Sequence, residues 1–124
     1  MRYTADTDDS TDAETARTPA VPFVMLAGAF LLVSALDLLT TIVGLQAGLV
    51  ESNGVPAELY AEFGVLGLSA GKLLSSLGVV AAAWMLWGHW WRYSKTVVTA
   101  VMSFGVVVTG IAVINNCRLL LGVL

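Results

Sequence analysis

VPFVMLAGAFLLVSALDLLTTIVGLQAGLV, Val21 to Val50, contains a single charged side chain, Asp37. The run is longer than the ~20 residues an α-helix needs to cross the hydrocarbon core of a bilayer. Two more runs of the same kind follow, Phe63–Trp91 and Val97–Leu124. The whole chain of 124 residues is 57% hydrophobic and 12% charged, with mean hydropathy +0.82. A soluble domain carries roughly a quarter charged residues, so this chain lacks the polar surface to stay in water. Backbone groups in lipid must bond internally, which makes the spans helices. The alternation of a membrane β-barrel is absent. The sequence therefore predicts an all-α membrane protein, a three-transmembrane-helix bundle with spans at about 21–50, 63–91 and 97–124.

Residues 1–20 differ in kind. Met1–Thr18, MRYTADTDDSTDAETART, is rich in Asp, Thr, Ser and Ala and nearly free of apolar side chains. It cannot bury enough surface to fold and reads as a disordered acidic tail ahead of a transmembrane domain over 21–124. It lacks the short apolar core ending in small residues that a signal peptide needs. Such a tail can bind partners; the plainer reading is that excess carboxylate keeps proteins soluble in a salt-rich cytoplasm. Pro19 and Pro22 punctuate the start of the first helix, where a missing N–H costs nothing.

Orientation follows from Lys and Arg near the helix ends. The first connection, ESNGVPAELYAE, has neither, whereas Arg17 precedes the first span and Arg92 and Lys95 lie in the second connection. The expected topology in the cell (cytoplasmic) membrane has the N-terminus inside and the C-terminus outside. Trp84, Trp87, Trp90, Trp91 and Tyr93 gather at the inner end of the second span, as an interfacial aromatic belt would; a ligand cage is the rarer alternative.

Depth aligns the few polar side chains inside the spans. At 1.5 Å per residue, Asp37 lies about 20 Å below the outer end of its helix, Lys72 roughly 14 Å, and Asn115 and Asn116 about 12–14 Å. Thr40 and Thr41 fall between. A lysine stem can reach inward by several ångströms, so one layer in the outer half collects the whole set. An unpaired charge at the bilayer centre costs at least ~2.5–3.5 kcal/mol, and Lys72 is the cation at matching depth. Asp37 is thus expected to be the anionic half of a pair with Lys72, with a hydroxyl bond from Thr41 and completion by Asn115 or Asn116.

Small residues at helical spacing form stripes that let membrane helices approach. These are Ser34, Asp37, Thr41, Gly44 and Gly48; Gly64, Gly67, Gly71, Ser75, Gly78 and Ala82; and Gly105, Thr109, Ala112 and Asn116. They could make a compact bundle or a contact with a second copy. At the outer rim, Glu51 and Arg118 either pair or stand as two unrelated interfacial charges. Asn53-Gly54 followed by Pro56 is a turn signal, so Asn53 is read as rim or turn chemistry.

The string Asp37, Thr40-Thr41, Gly48, Glu51-x-Asn53, then Lys72 in the next span, resembles an uncharacterised family of small multi-pass prokaryotic membrane proteins, a domain of unknown function. That family carries Asp and Thr in one helix, Gly-x-x-Glu-x-Asn-Pro at its end, and a membrane Lys. Here Gly54 follows Asn53 and the proline is Pro56. The resemblance covers about Leu31–Lys72 and implies no activity.

Exclusion narrows the chemistry. The one histidine, His89, is at the inner boundary, too far from a membrane serine for an intramembrane serine protease. Asp37 stands alone where an aspartyl protease needs two carboxylates. His89 and Cys117 are too distant in depth for a metal set, and a single cysteine permits no intrachain disulfide. No phosphate-binding glycine loop occurs, and an acidic chain with sparse cations does not suit nucleic acid. No cofactor is expected, and an enzyme is the less favoured class. Two readings remain. The first is a membrane protein acting by association, as a subunit, scaffold or homo-oligomer, with the polar cluster fixing its packing. The second is an oligomeric ion or proton transport element using Asp37 and Lys72. The first is favoured because buried pairs in so small a chain more often serve structure.

Overall fold

The computed structural model describes residues 22–50, 54–88 and 93–123; the acidic tail lies outside them. Among the described residues every regular element is helical: α1 (Phe23–Gln46), α2 (Gly54–Trp87) and α3 (Ser94–Val123). All three are long and apolar enough to cross a membrane. They run up, down and up, with α1 packed more extensively on α3 than on α2.

One end is tied by a small core. Phe23, Leu26 and Ala27 of α1 meet Ala83 of α2 and Val98 and Met102 of α3, with Phe30, Val80 and Trp87 against them. The Phe23 ring lies 5.2 Å from that of Trp84, edge-on, and 5.5 Å from that of Trp87. Lys95 Nζ sits 5.9 Å above the Trp87 ring. These two tryptophans therefore clasp the start of α1 as well as marking a helix end. Further along, the Phe30 ring covers Gly105, where an added Cβ would lie 3.1 Å from it. Large apolar side chains such as Leu32, Leu39, Leu66, Leu74, Phe104 and Ile111 point outward, a surface suited to lipid rather than water.

The helix ends depart from the predicted spans for local reasons. α1 stops at Gln46 because Gly48 adopts φ 90°, a left-handed conformation natural to glycine at the position after a helix. Gly48 N–H donates to Leu45 O at 3.1 Å and Leu49 N–H to Gly44 O at 2.9 Å, while the Leu49 side chain covers Gly44. This is a Schellman closure. Gly48 is a helix terminator, not part of a packing stripe.

α2 begins at Gly54, nine residues before the predicted start at Phe63 (63 − 54 = 9). It is two limbs joined at Gly64, whose φ 65° and ψ −153° are open essentially to glycine alone. The first limb, residues 54–63, folds back along the second. Leu59 and Phe63 lie over Gly67, where an added Cβ would be 2.8 Å from Leu59 O, and the Leu59 side chain covers Gly71. The Gly67/Gly71 part of the α2 stripe is thus the seat of its own preceding segment rather than of another helix. Gly78, lower on the stripe, faces open space.

Candidate functional site

The other half of the bundle holds the polar side chains. Asp37 lies mid-way along α1, Lys72 two turns past the Gly64 hinge, and Asn116 near the end of α3. Lys72 Nζ is 2.6 Å from Asp37 Oδ2 and also donates to Thr41 Oγ1 at 3.3 Å. Asn116 Nδ2 reaches Asp37 Oδ1 at 3.3 Å, Thr40 Oγ1 at 3.3 Å and Thr41 Oγ1 at 3.4 Å. One carboxylate is thus held by an ammonium from α2 and an amide from α3.

The threonines work differently from the sequence expectation. Thr41 Oγ1 donates to the backbone oxygen of Asp37 at 2.7 Å, not to its carboxylate. Thr40 Oγ1 lies 2.9 Å from Leu36 O and 3.1 Å from Asp37 O. Back-bonding of this kind is the usual resort of a hydroxyl inside a helix. With their protons spent on α1 itself, both hydroxyl oxygens face α2 and α3 as acceptors. That fixes which atoms Lys72 and Asn116 can donate to. Among the described residues no buried side-chain nitrogen or oxygen lacks a partner.

The network is not sealed. Asp37 and Lys72 side chains keep 18% and 19% of their surface exposed, and they line a cavity of about 260 Å³. Thr40, Thr41, Asn115 and Asn116 share its polar wall; Gly44, Leu45, Leu49 and Val50 of α1 and its terminal turn, with Ala112 and Leu119 of α3, supply the apolar one. A second cavity of about 260 Å³ opens between the limbs of α2, bounded by Val55, Pro56, Leu59, Leu68, Gly71 and Ser75, and Lys72 lines it as well.

The structure therefore brings Asp37, Thr40, Thr41, Lys72 and Asn116 into one network. Asn115 makes none of these bonds; it is exposed and lines the cavity beside them. Arg118 is exposed on α3. Its expected partner Glu51 lies outside the described residues, as does Asn53. Sequence reasoning missed the wall made by Leu49 and Val50 and the fold-back of residues 54–63. Both had signals: an apolar residue directly after Gly48, and a Pro near the start with a Gly after the end of a short helical segment.

A family model described as "Domain of unknown function (DUF5658)" matches residues 28–122. The chain belongs to that family. The matched stretch takes in the Asp37 network, the Gly64 hinge and both cavities, and leaves out the acidic tail. No curated protein and no solved structure matches the chain.

Proposed function

We propose that this DUF5658 protein is an integral membrane protein of three spans, N-terminus inside, whose Asp37 network is a binding wall for a small polar guest. The observation behind this is the cavity itself: a charged pair lines an open space instead of being closed over by apolar side chains. As mere glue, an ion pair is a poor choice, since its desolvation offsets most of its attraction. Hydroxyls and amides alone would tie the helices with less loss. A reachable pair with unused bonding capacity suits a site that exchanges water for a guest. Three helices rarely enclose a pathway, so passage across the membrane would need further chains, whether copies or partners. The association reading keeps one observation in its favour: Lys72 and Asn116 both bond across to α1, as a clamp between helices would.

Thiol chemistry tests the proposal, because the thiolate, which forms in contact with water, attacks the sulfur of a methanethiosulfonate and expels methanesulfinate. On a Cys117→Ser background in proteoliposomes, Asn115→Cys and Ala112→Cys should react readily with a water-soluble reagent added outside. Ala81→Cys, on the exposed face of α2, should not. Equal unreactivity at all three positions would mean a dry cluster and return the clamp reading to first place.

A further inference from the structure

We infer that the cavity beside Asp37 and Lys72 selects a small solute of zero net charge that both donates and accepts hydrogen bonds, such as an amide or a zwitterion, and discriminates against simple ions. This rests on the binding reading above and adds the chemical class of the guest.

The charge arrangement supplies the first argument. The cationic and anionic groups stand 2.6 Å apart, so from the cavity they act as a dipole rather than as a charge. A cation drawn to the Asp37 carboxylate meets the Lys72 ammonium at nearly the same distance, and an anion meets the reverse. Coulomb terms of opposite sign at similar range cancel for a monopole, while an ion must still surrender its hydration. A guest with its own donor and acceptor suffers no such cancellation, because each end can face the complementary group.

Pinning of the pair supplies the second. An ion could still bind by prying the partners apart, but each is held independently. Lys72 Nζ has Thr41 Oγ1 as a second acceptor, and Asp37 Oδ1 takes the amide of Asn116. Separating them would break bonds from three helices at once.

Bonding capacity supplies the third. An ammonium has three N–H groups, of which Asp37 and Thr41 engage two. The Asn115 amide on the same wall forms none of the network's bonds and offers both a donor and an acceptor. The walls thus present both kinds of group to a guest. At about 260 Å³ the space falls just below the ~300–1,000 Å³ of sites for drug-sized ligands and has room for about nine waters at ~30 Å³ each, which sets the guest as a small molecule.

The test is protection of Ala112→Cys, which lines the same cavity without supplying a polar group, on the Cys117→Ser background in proteoliposomes, from an uncharged methanethiosulfonate at constant ionic strength. The probes are acetamide, glycine, sodium chloride and sodium formate. Acetamide or glycine should slow modification at least several-fold at concentrations where both salts leave the rate unchanged. In Asp37→Asn the ammonium loses its counter-charge, and formate should then become protective. If Asp37→Asn does not fold, the comparison of probes on the parent protein still decides. Stronger protection by sodium or formate than by the net-neutral probes would overturn the assigned class while leaving a binding site. So would a reactive thiol that no probe protects. A thiol unreactive from the start would overturn the binding reading beneath it.

Discussion

Removing one charge of the Asp37–Lys72 pair should harm the protein more than removing both. Asp37→Asn leaves the Lys72 ammonium with neutral acceptors and no counter-charge; Lys72→Met leaves the carboxylate with Asn116 alone. At an effective dielectric of about 20, unit charges about 4 Å apart attract by about 4 kcal/mol. Breaking a fully buried pair costs about 3–5 kcal/mol because the orphan remains desolvated. Here both side chains keep nearly a fifth of their surface, so water can relieve part of that, and about 2 kcal/mol per single variant is expected. The double variant Asp37→Asn/Lys72→Met carries no orphan and should lose about 1 kcal/mol. The coupling is then about 3 kcal/mol, at the upper end for residues in contact. Reversible unfolding of the four proteins in mixed micelles or bicelles measures it. A double variant that loses the sum of the two single effects would refute the reasoning, since residues in one ion pair cannot behave independently.

Other outcomes follow from neighbouring geometry. Asn116→Ala should cost about 1 kcal/mol, in the range of interhelical hydrogen bonds in membranes, while Asn115→Ala should stay within about 0.5 kcal/mol; the same unfolding assay compares them, and equal losses would contradict the assignment of Asn116 to the network. Gly67→Ala should cost about 1–3 kcal/mol by overpacking the seat of residues 54–63, whereas Gly78→Ala, facing open space, should be neutral or slightly stabilising. In the proposed topology, cysteines within 55–59 should label from outside and those within 88–95 only from inside, on a Cys117-free background; the reverse pattern would invert the orientation. For the proposed rim pair, reversing both Glu51 and Arg118 should preserve folding better than reversing either one, and a double-mutant cycle showing no coupling would remove that pair.

Much of the site was legible because membrane spans compress the problem. Few polar residues occur in the spans, and a fixed rise per residue converts sequence position into depth. Asp37, Lys72 and Asn116 could therefore be brought to one layer without knowing a crossing angle. Depth says nothing of azimuth, so it does not separate Asn115 from Asn116; the turn of α3 does, aiming Asn116 at Asp37 and Asn115 at the cavity. The Thr41 hydroxyl departs from the expected acceptor for a related reason: its nearest acceptor is a carbonyl of its own helix, a contact blind to tertiary structure. The largest departure is at Gly64. Hydropathy registers residues 54–63 as a polar connection because of Glu58 and Glu62, both exposed, and cannot tell an open loop from a short helix folded back. Gly67 and Gly71 looked like partners for a neighbouring helix, yet their neighbour is the preceding segment of the same chain.

That fold-back bears on the order in which the protein comes together. Its contacts join residues close in sequence, such as Leu59 with Gly67 and Gly71, whereas the bonds around Asp37 span separations of 35 to Lys72 and 79 to Asn116. Closing a short loop costs less chain entropy than closing a long one. Residues 54–75 are therefore expected to dock as a unit while the chain is still emerging, with α3 the last piece to arrive and Asn116 the last bond to the carboxylate. Until then Asp37 and Lys72 would have only each other and Thr41, and the cavity would lack its third wall. A chain truncated before Ser94 should accordingly protect a cysteine at position 68, buried against the short limb, from labelling while leaving one at position 40, which faces Asn116 of α3, exposed, and the opposite pattern would place docking of the short limb after the bundle instead of before it.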